Sequence, residues 1–160
     1  GLRTVEWITA NMPATARFQI VTFAEEATAV DQTSDGRWLS AETPQALENA
    51  LNQLADLTPN GGSNLHAAFG AIENLDPLPD NVFLITDGLP TQGVRPAKGS
   101  LVSARDRLQH FTDALTTLNL TVPINVILLP MEGDPVASPS FWRLAQITGG
   151  AFLSPARDWP

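Results

Sequence analysis

The chemistry available to this chain sits in short loops between apolar runs. The stretch Thr58-Pro-Asn-Gly-Gly-Ser-Asn-Leu places a hydroxyl, Ser63, and an amide, Asn64, behind two adjacent glycines. An apolar-periodic run follows at once, with Leu65, Ala68, Phe69, Ile72 and Leu75 on one face of a helix. Glycines before a helix start let the backbone turn sharply and approach a ligand. A hydroxyl at that point has two uses: it can cap the helix, or it can lend its oxygen to a metal ion. Asp87 is the second candidate. It follows the apolar run Val82-Phe-Leu-Ile after one threonine and precedes a glycine. In an open parallel sheet, ligands bind beyond the carboxyl ends of the strands, which is where Asp87 stands. Its structural alternative is to cap a turn. Hydroxyl plus carboxylate is hard-oxygen chemistry, suited to Mg²⁺ or Ca²⁺ and not to zinc. Glu132 and Asp134, after the run Ile124-Asn-Val-Ile-Leu-Leu, are expected on the same rim, either adding negative potential or simply solvated.

The elements that must position these groups alternate between helical and strand patterns. Leu2, Val5, Ile8 and Met12 recur at helical spacing up to Pro13. Arg17-Phe-Gln-Ile-Val-Thr-Phe reads as a buried strand, and Ala27-Thr-Ala-Val as its hairpin partner at an edge. A polar loop from Asp31 to Glu42 carries Trp38. Thr43-Pro44 starts a helix whose inner face is Leu47, Ala50, Leu51 and Leu54. Val82-Phe-Leu-Ile, four apolar residues in a row, reads as a strand buried on both faces. A loop rich in proline and glycine runs from Leu89 to Gly99. Ser103 and Asp106 form a capping-box pattern ahead of a helix using Ala104, Leu108, Phe111, Leu115 and Leu118. Ile124–Leu129 is another strand. Ser138-Pro139 starts a last helix with Leu144, Ala145 and Ile147 inward, and Gly149-Gly150 stops it. Ala151-Phe-Leu is a short final strand, and Arg157–Pro160 a surface tail. The pattern predicts a single α/β domain over residues 1–160, doubly wound, with a mostly parallel sheet, helices on both faces and one short antiparallel edge strand.

Composition narrows the functions open to it. The chain has 160 residues, 43% hydrophobic and 16% charged, enough for a real core and unlike a disordered segment. A net charge of −8 argues against nucleic acid or an anionic membrane as partner. With no cysteine there is no disulfide frame, zinc-thiolate site or thiol redox chemistry. No apolar run is long enough to span a bilayer. Catalysis finds little support. An aspartyl-phosphatase pattern wants a second carboxylate two residues after Asp87, and Leu89 is there. The Asn60-Gly-Gly-Ser63 loop lacks the Gly-Lys-Ser/Thr ending of a phosphate loop. His66 and His110 pair with no obvious nucleophile and base. The reading is therefore not an enzyme. Trp7, Trp38, Trp142 and Trp159 are anchors for a partner surface or, more ordinarily, packing residues.

Three stretches taken together resemble landmarks of the von Willebrand factor type A domain: Thr58–Phe69 with its Gly-Gly-Ser-Asn-Leu core, Val82-Phe-Leu-Ile-Thr-Asp-Gly-Leu-Pro, and Leu144-Ala-Gln-Ile-Thr-Gly-Gly-Ala-Phe. Their order and spacing fit, and so does Arg17–Phe23 followed by a short hairpin strand. The resemblance implies a Rossmann-like sheet carrying a metal-ion-dependent adhesion site (MIDAS), in which Mg²⁺, Ca²⁺ or Mn²⁺ bridges a carboxylate of a protein partner. Ser63 matches that family's threonine ligand and Asp87 its aspartate ligand, with Asn64, Glu132 and Asp134 around them. The family's Asp-x-Ser-x-Ser loop, expected after a first strand ahead of Leu2, does not occur in this sequence. Three explanations stand. The first strand and loop lie upstream of Gly1, another chain donates the strand, or the sheet closes differently. The first is preferred, because the chain opens directly on the crossover helix. These residues alone would then bind a divalent ion weakly or not at all, and two exposed strand edges would invite pairing or strand exchange with another chain. A metal-free interaction module with a degenerate site is the alternative. Relatives occur inside and outside cells, so the expected location is a cell envelope if an upstream anchor exists and the cytoplasm otherwise.

Overall fold

The computed structural model describes residues 1–34, 36–94, 102–119, 121–156 and 158–159. Asp35 of the polar loop, residues 95–99 of the proline- and glycine-rich loop, and Arg157 and Pro160 of the tail lie outside the described residues. The chain is mixed α/β. Its elements in order are α1 (Leu2–Ala10), β1 (Arg17–Phe18), β2 (Val21–Phe23), β3 (Ala27–Ala29), a 3-10 turn (Gln32–Ser34), β4 (Leu39–Ser40), α2 (Pro44–Asp56), α3 (Leu65–Glu73), β5 (Val82–Thr86), α4 (Ala104–Thr116), β6 (Ile124–Leu128), α5 (Ala137–Thr148) and β7 (Phe152–Leu153). None of the described helices is long and apolar enough to cross a membrane.

The strands divide among three ladders where the sequence predicts one sheet. A parallel sheet of order β5-β6-β7 is the largest, and the antiparallel pairs β1-β4 and β2-β3 stand apart from it. The expected strand 17–23 breaks at its centre because Gln19 turns its side chain onto the backbone. Its Oε1 accepts from Ile20 N, and its Nε2 donates to Ser34 Oγ and Arg37 O. Phe18 then pairs with Leu39, while Val21–Phe23 forms the hairpin with Ala27–Ala29.

Two edges stay unpaired among the described residues. Val82 N donates to Pro123 O and Leu129 N to Thr86 O, so alternate residues of β5 turn their backbone groups to β6. Phe83 and Ile85 direct theirs to the opposite side, where no described strand pairs. In the hairpin, Val30 N donates to Ile20 O and Ala24 N to Glu26 O. That phase leaves Val21 and Phe23 pointing away from β3.

One cluster forms the core. Leu84 of β5 and Ile124, Val126 and Leu128 of β6 pack with Leu65, Ala68 and Phe69 of α3, Phe111 and Ala114 of α4, and Phe141, Leu144 and Ala145 of α5. β6, the central strand of its sheet, is buried nearly throughout. β5 is not: Phe83 is 47% exposed, against the expectation of a strand buried on both faces. A strand bonded on one side only loses the lateral cover that a central strand has. Three helix faces also differ from the pattern. α1 fully buries Thr4, with Leu2, Val5 and Ile8 half-buried, and it packs against α2. On α4, Ala104 and Leu108 face solvent and Arg107 takes the inner position one turn before Phe111. α5 begins at Ala137 and turns Ile147 outward. The tail is not wholly at the surface, since Trp159 is half-buried and its ring lies 5.1 Å from that of Trp7.

The capping pattern at α4 is realised. Ser103 Oγ accepts from Asp106 N and donates to Asp106 Oδ2 at 2.7 Å. That hydroxyl holds the Asp106 carboxyl below its usual 3.8. A lowered folded-state value stabilises the native state above the unfolded pKa, and this contribution disappears as pH falls through the folded one. An NMR titration is expected to place Asp106 below the ordinary aspartate range, and Ser103→Ala to return it toward that range. No change on substitution would reject the hydroxyl as the cause.

Candidate functional site

The Gly-Gly-Ser turn is built as a junction. Gly61 has φ +80°, a conformation open to glycine at little cost. At Gly62, a Cβ would lie 2.5 Å from Thr91 Oγ1 and 2.7 Å from Gln92 Cγ, so any larger residue would push these two side chains aside. Ser63 is then stitched to the loop that starts at Asp87. Its N–H donates to Thr91 Oγ1 at 3.0 Å, and its carbonyl accepts from Thr91 N and Gln92 N, both at 3.0 Å. The β2–β3 turn joins the same point. Asn64 N donates to Ala24 O, Asn64 Nδ2 to Glu25 O, and Gln92 Nε2 to Glu25 Oε1.

The cap of α3 is Asn64, not Ser63. Asn64 Oδ1 accepts from His66 N and Ala67 N, satisfying two of the free donors at the helix start. Ser63 Oγ is left without a hydrogen-bond partner among the described residues. Of the two uses open to that hydroxyl, the local one is taken by its neighbour.

Asp87 is exposed, and its carboxylate has no partner among the described residues. The turn it sits in is held by Thr86 instead, whose hydroxyl donates to Gly88 O at 3.1 Å. Thr86 O in turn accepts from Leu129 N at 2.7 Å, which anchors the end of β5 to β6.

Asp134 belongs to a different arrangement from the solvated carboxylate expected. Its side chain is 4% exposed, and Oδ2 lies 2.8 Å from Arg107 Nη2 and accepts from Leu89 N at 2.8 Å. Arg107 also donates from Nε and Nη2 to Leu89 O, at 3.1 and 2.7 Å. Gly88 lies under this pair, where an added Cβ would fall 2.6 Å from Met131 Cε and 2.8 Å from Arg107 Nη2. Glu132 is exposed on the same loop. The histidines serve elsewhere. His66 Nδ1 meets Thr117 Oγ1 at 2.9 Å between α3 and α4, and His110 packs on Gly93 with Nε2 buried and without a partner among the described residues.

Thr86, Thr91 and Arg107 were not among the site candidates read from sequence. Arg107 had a signal: it stands four residues before Phe111, on the apolar stripe of α4, and a charge there needs a buried partner.

The donor set is hydroxyl plus carboxylate. In kind it fits a hard cation; in number it falls short, since Mg²⁺ takes about six oxygens and Ca²⁺ more. No group of three or more His, Cys, Asp or Glu side chains suited to a metal ion occurs among the described residues. The chain matches no protein-family model and no curated protein.

Proposed function

We propose that the chain is a von Willebrand A-like recognition module of the doubly wound, Rossmann-like class that binds another protein. In this reading the Ser63 hydroxyl and the Asp87 carboxylate hold a divalent cation, Mg²⁺ or a similar hard ion, directly or through water. The ion supplies a positive centre for an acidic side chain of the partner. Two protein oxygens give weak binding by themselves, and water and the partner carboxylate fill other positions. The observation that carries this reading is that two oxygen groups, on segments hydrogen-bonded to one another, are both without a partner among the described residues. Asn64 takes the cap and Thr86 takes the turn, so Ser63 and Asp87 are released from the structural jobs their positions offer. Three hydrogen bonds tie their two segments together.

Calorimetric titration with Mn²⁺ tests it. The expected result is weak binding, with a dissociation constant on the order of millimolar, lost in Asp87→Ala and weakened in Ser63→Ala. Equal heats for the native chain and Asp87→Ala would remove the site.

A second reading has its own observation. The backbone groups of Phe83, Ile85, Val21 and Phe23 turn away from their only described partner strands. Such edges are templates for an added strand. A metal-free module that pairs with an extended segment of another chain follows from them, and a titration silent toward Mn²⁺ leaves this reading standing.

A further inference from the structure

We infer that Arg107 and Asp134 form a clamp whose role is to aim the Asp87 carboxylate; this rests on the assignment of Asp87 to the recognition site. Asp87 lies between two anchored points of the backbone, Thr86 before it and Leu89 two residues after it. Before it, Thr86 O accepts from Leu129 N, and the Thr86 hydroxyl reaches over Asp87 to Gly88 O. After it, Gly88 is buried, and Leu89 has both backbone groups taken by side chains from two other segments. Asp134 accepts from Leu89 N, and Arg107 donates twice to Leu89 O. The Arg107–Asp134 ion pair closes the ring at 2.8 Å. The backbone of Asp87 therefore has little freedom, while its side chain is exposed and takes no partner among the described residues.

Stability alone is a poor reason for this construction. A buried ion pair gives back much of its attraction as desolvation, and packed apolar side chains of similar volume serve stability as well or better. What apolar side chains cannot do is hold one residue's backbone by both its N–H and its C=O. Arginine suits the task because its planar fork fixes direction as well as distance, which a lysine ammonium does not. Arg107 and Asp134 do not reach the ligand in this assignment; they are positioning residues that act through the Leu89 peptide.

The test compares Arg107→Lys and Asp134→Asn with Leu144→Ala, a core substitution in α5 that lowers stability without touching the clamp. Backbone ¹⁵N relaxation is measured at Asp87 and Gly88, and Mn²⁺ affinity by calorimetry. In both clamp variants the order parameter at Asp87 is expected to fall from about 0.85 to below about 0.6, and in Leu144→Ala to stay put. Mn²⁺ affinity is expected to drop about tenfold in the clamp variants alone. An Asp87 amide as ordered in the clamp variants as in Leu144→Ala overturns the proposal. Asp134→Asn keeps an oxygen for Leu89 N, so it serves if Arg107→Lys does not fold. A native chain that ignores Mn²⁺ defeats the metal assignment, and the order parameters still decide the clamp.

Discussion

Phe141→Ala is expected to lower the free energy of unfolding by about 3–5 kcal/mol, seen as a lower denaturant midpoint at nearly constant m. Phe141 is among the largest fully buried side chains. Its ring meets that of Phe111 edge to face, with centroids 5.1 Å apart and planes at 79°. This contact joins α5 to α4 over the β5-β6-β7 sheet, and neither helix can collapse into the space left without moving the other. The adjacent Trp142 is larger but 52% exposed, and Trp142→Ala is expected to change stability by no more than about 0.5 kcal/mol. Equal losses at the two positions would mean that α5 presents a different face to the core.

The same contrast shows how much of the fold the sequence carried. β6 and β5 look alike as sequence, each a run of apolar residues after a proline- or asparagine-marked break. Ile124–Leu128 is buried as that pattern implies because it has a neighbour on both sides. Val82–Thr86 has one among the described residues, and Phe83 is left open to solvent. An apolar run reports the burial a strand is suited to; its place in the ladder is set by other segments. Helix starts were readable where the signal is local: Thr43-Pro44 opens α2, and Ser103 caps α4. Helix faces were less so. Leu108 and Ile147 fit the apolar stripe by spacing, yet both are exposed, because Arg107 and Phe141 occupy the directions that lead inward.

At the candidate site, the residue types were readable and their partners were not. Gly-Gly-Ser-Asn ahead of an apolar run marks a helix start, but two side chains there can serve as the cap. Asn64 takes the position because α3 begins at Leu65. Ser63 is a residue too early, which is what leaves its hydroxyl without a partner among the described residues. Asp134 read as a loop carboxylate because nothing local predicts Arg107, 27 positions earlier in the sequence. Pairings of that kind are made by tertiary structure, and only the misfit of one charge on an apolar helix face hints at them.

Gly150→Ala is expected to cost about 3 kcal/mol or more, while Gly149→Ala costs about 1 kcal/mol. By sequence the two glycines are one helix-stop signal. Their surroundings are different. Gly149 is the left-handed end of α5, at φ 74°, and an added Cβ there meets nothing within 4 Å. The penalty is conformational. At Gly150 a Cβ would lie 2.1 Å from Ile124 O, 2.4 Å from Ile124 C and 3.0 Å from Asn125 N. All three are backbone atoms of the central strand, which has no rotamer to change. Relief requires the turn to back away from β6, and that breaks Val126 N to Ala151 O at 2.8 Å and Ala151 N to Asn125 Oδ1 at 3.0 Å. Those bonds fix the register of β7 on β6. Urea unfolding of the two variants should therefore rank Gly150→Ala well below Gly149→Ala, with faster amide exchange at Val126 in the former alone. The reverse ranking would show that β7 is free to shift and that its pairing does not hold the edge of the parallel sheet.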